Sequence, residues 1–205
     1  MGSKFRIRRL FRPLVQWIAK QLKKIKMTPN QVSLLGIFFA LGGCIFFIFF
    51  LNYWGSLLFA MFIFIAGILD GVDGALARLT KRASKRGGLL DSVGDRYADV
   101  CIIVAFLGHY SNQQIFLGIP LLLWVILAVV GVIMVSYIRA RAEAGGVEDC
   151  DVGLAGRSER LFILVIFAMI NLGLWGLLIV TIISHVTAFY RIYYVKKMLR
   201  TVDLD

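Results

Sequence analysis

Four aspartates set in lipid-like sequence are the residues of this chain best placed to do chemistry. From Asp70 to Asp95 the chain reads DGVDGALARLTKRASKRGGLLDSVGD, a D-x2-D-G-x2-A-R-x8-G-x3-D-x3-D pattern with Asp70, Asp73, Gly74, Ala77, Arg78, Gly87, Asp91 and Asp95 at its fixed positions. If both halves are helical, Asp70, Asp73, Gly74, Ala77 and Arg78 share one face, and Asp91 and Asp95 share a face of the second helix. Four carboxylates converging in a low-dielectric setting demand a cation. An all-oxygen set suits Mg²⁺, Mn²⁺ or Ca²⁺ far better than zinc. Two readings stand at this point. Either the acids hold metal, or they pair with Arg78, Arg82 and Arg96 while the small residues serve helix packing; intramembrane acids favour the first.

The elements that must carry this set are membrane helices. The chain has 205 residues, 60% of them apolar, and a mean hydropathy of +0.82. Crossing roughly 30 Å of hydrocarbon takes about 20 helical residues. Apolar runs of that order lie at about 31–53, 55–79, 89–110, 115–141, 159–175 and 177–198, so an all-α bundle of six transmembrane helices is expected. Alternating ten-residue strands, which a membrane barrel needs, are absent. The 23 Lys and Arg fall in four stretches, with nine in Met1–Asn30, six in 78–96, four in 139–160 and four in 191–200. By the positive-inside rule both termini and both charged links are cytoplasmic, and the acidic site opens to the cytosol at the inner (cell) membrane. The net charge of +11 then reflects topology and anionic headgroups, with no basic domain for nucleic acid.

Residues 1–30 read as a juxtamembrane segment, 31–200 as the catalytic bundle and 201–205 as a short tail. In the first, Phe5, Leu10, Phe11, Leu14, Trp17, Ile18 and Leu22 form an apolar stripe opposite Arg8, Arg9, Arg12, Lys20 and Lys23, the pattern of an interfacial amphipathic helix. Thr28-Pro29-Asn30 ends it and offers an N-cap to the first span. Cys44, Cys101 and Cys150 lack metal-ligand spacing and read as ordinary small residues. Asn171 and His185, inside apolar helices, are expected to bridge helices by hydrogen bonds.

The Asp70–Asp95 pattern matches at every fixed position the signature of the CDP-alcohol phosphotransferases, integral membrane enzymes, and the layout of the whole chain resembles that family too. The resemblance implies that the aspartates hold divalent metal, usually two Mg²⁺ or Mn²⁺ ions, over the pyrophosphate of a CDP-linked donor. Asp70, Asp73 and Asp91 would be ligands, and Asp95 a ligand that also acts as general base. Gly71, Gly74, Ala77, Gly87 and Gly88 would let the nucleotide approach the helix backbone, and Arg78 would pair with a donor phosphate. Asp99, one turn beyond Asp95 and outside the signature, is expected to play a supporting role.

A second region, SYIRARAEAGGVEDCDVGLAGRSERL from Ser136 to Leu161, resembles the phosphatidylinositol phosphate synthase branch of the family and its archaeal relatives. It departs from them at Gly156, where a Glu would stand, and at Arg139, where many carry Lys. Ser136, Arg139, Arg157, Arg160 and Arg191 would form a cationic pocket for an acceptor phosphate, a geometry that Arg forks suit. The resemblance therefore implies transfer from CDP-diacylglycerol, CDP-archaeol or soluble CDP-inositol, the last as in di-inositol phosphate phosphate synthases, to a myo-inositol phosphate, by a homodimer embedded in membrane lipids. Glycerol phosphate, serine or free inositol are the other acceptors it allows. A cation transporter is the non-enzymatic rival, and it would need charge along the outer half of the path, where the sequence has none.

Overall fold

The computed structural model describes residues 10–81, 84–147 and 152–202, and these are almost wholly helical. Phe5, Arg8, Arg9, Arg82 and Cys150 lie outside the described residues. The helices are α1 (Arg12–Lys24), α2 (Pro29–Phe49), α3 (Tyr53–Thr80), α4 (Lys85–His109), α5 (Leu121–Ala144), α6 (Arg157–Met169) and α7 (Gly173–Val202). Local chemistry fixes their starts. Thr28 Oγ1 accepts from Gln31 N (3.4 Å) while Gln31 Oε1 accepts from Thr28 N (2.8 Å), a capping box ahead of Pro29. Asn52 caps α3 through Gly55 N, and Ser84 caps α4 through Gly87 N.

Among the described residues, four helices, α2, α3, α5 and α7, are long and apolar enough to cross a membrane. α4 is long enough but carries the charges of the signature, and α6 has 13 residues, or about 20 Å of rise. The run expected at 115–141 does not begin as a helix. Ile115–Phe116 and Ile119–Pro120 form a two-stranded antiparallel hairpin, turned by Leu117 (φ 52°) and Gly118 (φ 77°), the backbone of a two-residue turn. Nor does the run at 159–175 continue as one helix. It breaks after Met169, and Asn171 (φ 57°) occupies the left-handed position of the turn into α7. Asn171 is thus a turn residue rather than a bridge, whereas His185 Nε2 does reach Leu127 O on α5 at 3.0 Å.

The helices close into a ring. α2 packs on α3, α3 on α6, α6 on α7, α7 on α5, α5 on α4, and α4 back on α2. Consecutive helices α3 and α4 therefore face one another with α2 wedged between them. Small residues permit the α2–α3 contact: Gly36, Ala40 and Gly43 are buried along one side of α2, and a Cβ at Gly43 would lie 2.9 Å from Phe62 Cβ. One end of the ring is filled by apolar side chains, among them Phe47, Phe59, Ile63, Ile102, Phe106 and Leu177, all fully buried or nearly so. Outside it, α1 lays Val15, Ile18, Ala19 and Leu22 on Leu69, Val72 and Leu76 of α3, leaving Leu10, Leu14 and Trp17 exposed.

Candidate active site

The other end of the ring is open and polar. Its cavity, about 620 Å³, is lined by Asp70, Asp73 and Gly74 of α3, Asp91, Asp95 and Arg96 of α4, Ser136 and Arg139 of α5, Arg157 and Arg160 of α6, and Arg191 of α7. Two groups far apart in sequence thus share one space.

On the acidic side, carboxylate oxygens of Asp70, Asp91 and Asp95 all lie within 4.8 Å of one another. This hard-oxygen cluster fits Mg²⁺ or Mn²⁺. Asp73 stands beside it, buried, its Oδ2 accepting from Ser33 Oγ of α2 at 2.7 Å. The pull of the cluster on cations is visible in the protein itself. Arg157 Nη1 lies 2.6 Å from Asp70 Oδ1 and 2.7 Å from Asp95 Oδ1, and its Nε lies 3.1 Å from Asp99 Oδ1. Arg157, from α6, is thus a counter-ion to Asp70, Asp95 and Asp99. Arg96 stands 3.8 Å from Asp95 and donates to Ser136 Oγ.

On the basic side, Arg160 is 3% exposed; its Nη2 meets Asp99 Oδ2 at 3.0 Å and its Nη1 donates to Ala155 O at 2.7 Å. Asp99, 4% exposed, thus anchors both arginines of α6. Arg191, also buried, donates to Val152 O (2.9 Å) and Val135 O (2.7 Å). Arg139 is half-exposed and pairs with Glu143 at 2.8 Å.

The remaining expected residues fall unevenly. Gly74 lines the cavity. Gly87 sits in the capped first turn of α4, with Asn30 Oδ1 and Ser84 Oγ each 3.1 Å from where its Cβ would be. Arg78 is exposed near Gly74, and Ala77 is half-buried; neither lines the cavity. Gly71 points away from the acids. It lines an apolar cleft with Phe11, Val15, Gly67 and Phe162, and a Cβ there would lie 3.2 Å from Val15 Cγ2. Residues the sequence reading passed over include Ser33 and Thr187. Nothing in their local pattern marks them, since each matters through a partner 32 or more residues away.

Comparison with known proteins places this geometry. The model of the family described as CDP-alcohol phosphatidyltransferase matches residues 26–192. Archaetidylinositol phosphate synthase of Pyrococcus horikoshii is 35% identical over 183 residues, which cover 89% of this chain and 90% of that one. A bifunctional IPC transferase and DIPP synthase of Aquifex aeolicus is 32% identical over 183 residues, 84% of this chain but 40% of that longer protein. Among solved structures, phosphatidylinositol phosphate synthase of Mycobacterium tuberculosis with CDP-DAG bound superposes with a TM-score of 0.74 at 25% identity, over 89% of this chain and 94% of the other. The same enzyme with manganese and citrate also gives 0.74, at 26% identity over 88% of each chain.

Proposed function

The chain belongs to the CDP-alcohol phosphatidyltransferase family, and from that premise we propose that it joins a CDP-alcohol to a myo-inositol phosphate and releases CMP. Membership makes it a transferase. The observation that carries the acceptor assignment is that the aspartates and the five expected phosphate-binding residues, Ser136, Arg139, Arg157, Arg160 and Arg191, line one cavity.

Asp70, Asp73, Asp91 and Asp95 would hold Mg²⁺ or Mn²⁺, as two ions. When bound, the metal neutralises charge on the donor pyrophosphate and the departing CMP. The rest of the chemistry falls to the side chains. Asp95 accepts the proton of the acceptor hydroxyl, whose oxygen bonds to the β-phosphorus as the bond to CMP breaks. The neighbouring arginines hold the acceptor phosphate by charge-assisted hydrogen bonds. Gly74, Ala77 and Gly87 keep the α3 and α4 surfaces low for the nucleotide, and Arg78 reaches a donor phosphate from the rim.

The apolar cleft at Gly71 favours a lipid-linked donor, CDP-diacylglycerol or CDP-archaeol, over soluble CDP-inositol. It opens one residue from Asp70 and one from Arg157, between α1, α3 and α6, where an acyl or isoprenoid chain can lie while the pyrophosphate reaches the acids. In this reading residues 31–200 cross the inner membrane six times, with α4 and the short α6 completing the set. Both termini and the cavity face the cytosol, α1 lies in the interface with Leu10, Leu14 and Trp17 in lipid, and the protein is a homodimer.

The deciding experiment supplies radiolabelled inositol phosphate with each of the three donors. Label in a lipid extract, dependent on a CDP-lipid, is expected. A labelled water-soluble product from CDP-inositol alone would move the donor assignment, and no incorporation with any donor would overturn the acceptor.

A further inference from the structure

We propose that Thr187, on α7, is a positioning residue for acceptor recognition: it pins the segment Val152–Gly156 and thereby aims Arg157 into the cavity. The proposal rests on the acceptor reading above. Thr187 is 2% exposed. Its Oγ1 accepts two backbone donors, Leu154 N at 3.3 Å and Ala155 N at 3.1 Å. Thr181, on the same helix, behaves differently and donates back to Leu177 O at 2.7 Å, the usual habit of a helix-interior threonine. Thr187 instead spends its oxygen on a segment 32 residues away.

That segment belongs to neither helix nor strand, so its backbone groups must find partners elsewhere. Side chains supply them. Besides the two bonds to Thr187, Val152 O accepts from Arg191 Nε and Ala155 O accepts from Arg160 Nη1. Gly153 (φ 100°) lets the chain pass directly over Thr187, since a Cβ there would run into the Thr187 Cγ2 methyl. Gly156 then starts α6 without a side-chain cap. Arg157 follows as the first helical residue, two positions past the amide that Thr187 holds. The direction of its guanidinium is set by this segment at one end and by Asp70, Asp95 and Asp99 at the other.

Valine has the shape of threonine but cannot accept. Thr187→Val leaves two amides, the buried one of Ala155 among them, without their acceptor and lets the segment drift, and a misplacement of about 1 Å near a reacting centre can cost about 10²-fold. The expected result is a fall of roughly 10- to 100-fold in kcat/KM for inositol phosphate, with the dissociation constant of the CDP donor, measured at saturating Mn²⁺, within about twofold of the parent. Thr187→Ser, which keeps the oxygen, should restore the acceptor constant. Thr187→Val combined with Arg157→Gln should lose no more than Arg157→Gln alone, because the first acts through the second. If Thr187→Val folds poorly, Gly153→Ala tests the same contact from the other side, with the same acceptor-specific loss, partly relieved when Thr187→Ser removes the opposing methyl. Equal losses for donor and acceptor, or additive effects of Thr187→Val and Arg157→Gln, would overturn the proposal. If Arg157→Gln itself leaves the acceptor constant unchanged, the acceptor reading fails first.

Discussion

Arg157 reaches from α6 to Asp70 on α3, Nη1 to Oδ1 at 2.6 Å, and the same nitrogen lies 2.7 Å from Asp95 on α4. One guanidinium thus ties together two carboxylates that the sequence separates from it by 87 and 62 residues. A divalent ion drawn to Asp70, Asp91 and Asp95 would compete with it for these carboxylates.

Metal affinity should therefore rise when this competitor is removed. Arg157→Gln is expected to bind Mn²⁺ about 5- to 150-fold more tightly, the usual range of coupling between two ligands, as read by calorimetry on the detergent-solubilised protein. Asp91→Asn should abolish that binding and turnover together. Unchanged Mn²⁺ affinity in Arg157→Gln would show that ion and arginine use different oxygens.

Ser33 orients Asp73 from α2. Ser33→Ala should weaken Mn²⁺ binding by about 10- to 100-fold, as loss of a hydrogen bond to a metal ligand commonly does, while Ser33→Thr retains it. The same isotherms decide, and a parent-like curve for the alanine variant would remove Asp73 from the metal site.

Asp95→Asn tests the base. It should keep CDP-donor binding and lose about 10²- to 10⁴-fold in kcat. Equilibrium binding of labelled donor, measured beside turnover, separates the two effects, and a variant with more than half of the parent kcat would assign the proton to another group.

The arginines divide by burial. Arg139 is half-exposed, and its i,i+4 pair with Glu143 is worth only about 0.3–0.5 kcal/mol, so Arg139→Gln should raise KM for the phosphorylated acceptor without lowering thermal stability. Arg160 is buried against Asp99, and Arg160→Ala should cost about 3–5 kcal/mol by leaving a buried carboxylate short of its partner. Thermal unfolding in detergent checks both. A stable Arg160→Ala protein would mean that Arg157 alone satisfies Asp99.

Orientation is open to labelling. In a background with Cys44, Cys101 and Cys150 replaced, cysteine at Asn112 should react with an impermeant thiol reagent from outside, and cysteine at Ser84 only from the cytosol. Both positions are exposed and lie outside the helices. Reversed labelling would turn the cavity outward.

The acidic half of the site was legible because it is local. Asp70 and Asp73 share one helix and Asp91, Asp95 and Asp99 another, so periodicity alone groups them. The arginines were legible as types and as a likeness, but their partners were not, since Arg157 meets Asp70 only through the packing of α6 on α3. The surroundings of Gly71 were hidden for a related reason: one step past Asp70 on a helix is a rotation of 100°, which carries it to the side covered by Val15. The hairpin at 115–120 did leave a signal, Gly118 followed by Pro120, which hydropathy overrode. The helical turn at Asn171 was likewise hidden inside an apolar run.

The closed ring of helices also dictates an order of assembly. The acids lie on α3 and α4, in the first half of the chain, and the two arginines that meet them most closely, Arg157 and Arg160, lie on α6, in the second. A growing chain emerging into the bilayer therefore exposes its most costly charges before their partners have been made. Only when α6 docks between α3 and α7 do Asp70, Asp95 and Asp99 meet Arg157, so a protein truncated after α5 would keep every signature residue and still lack the counter-charge that α6 brings to them.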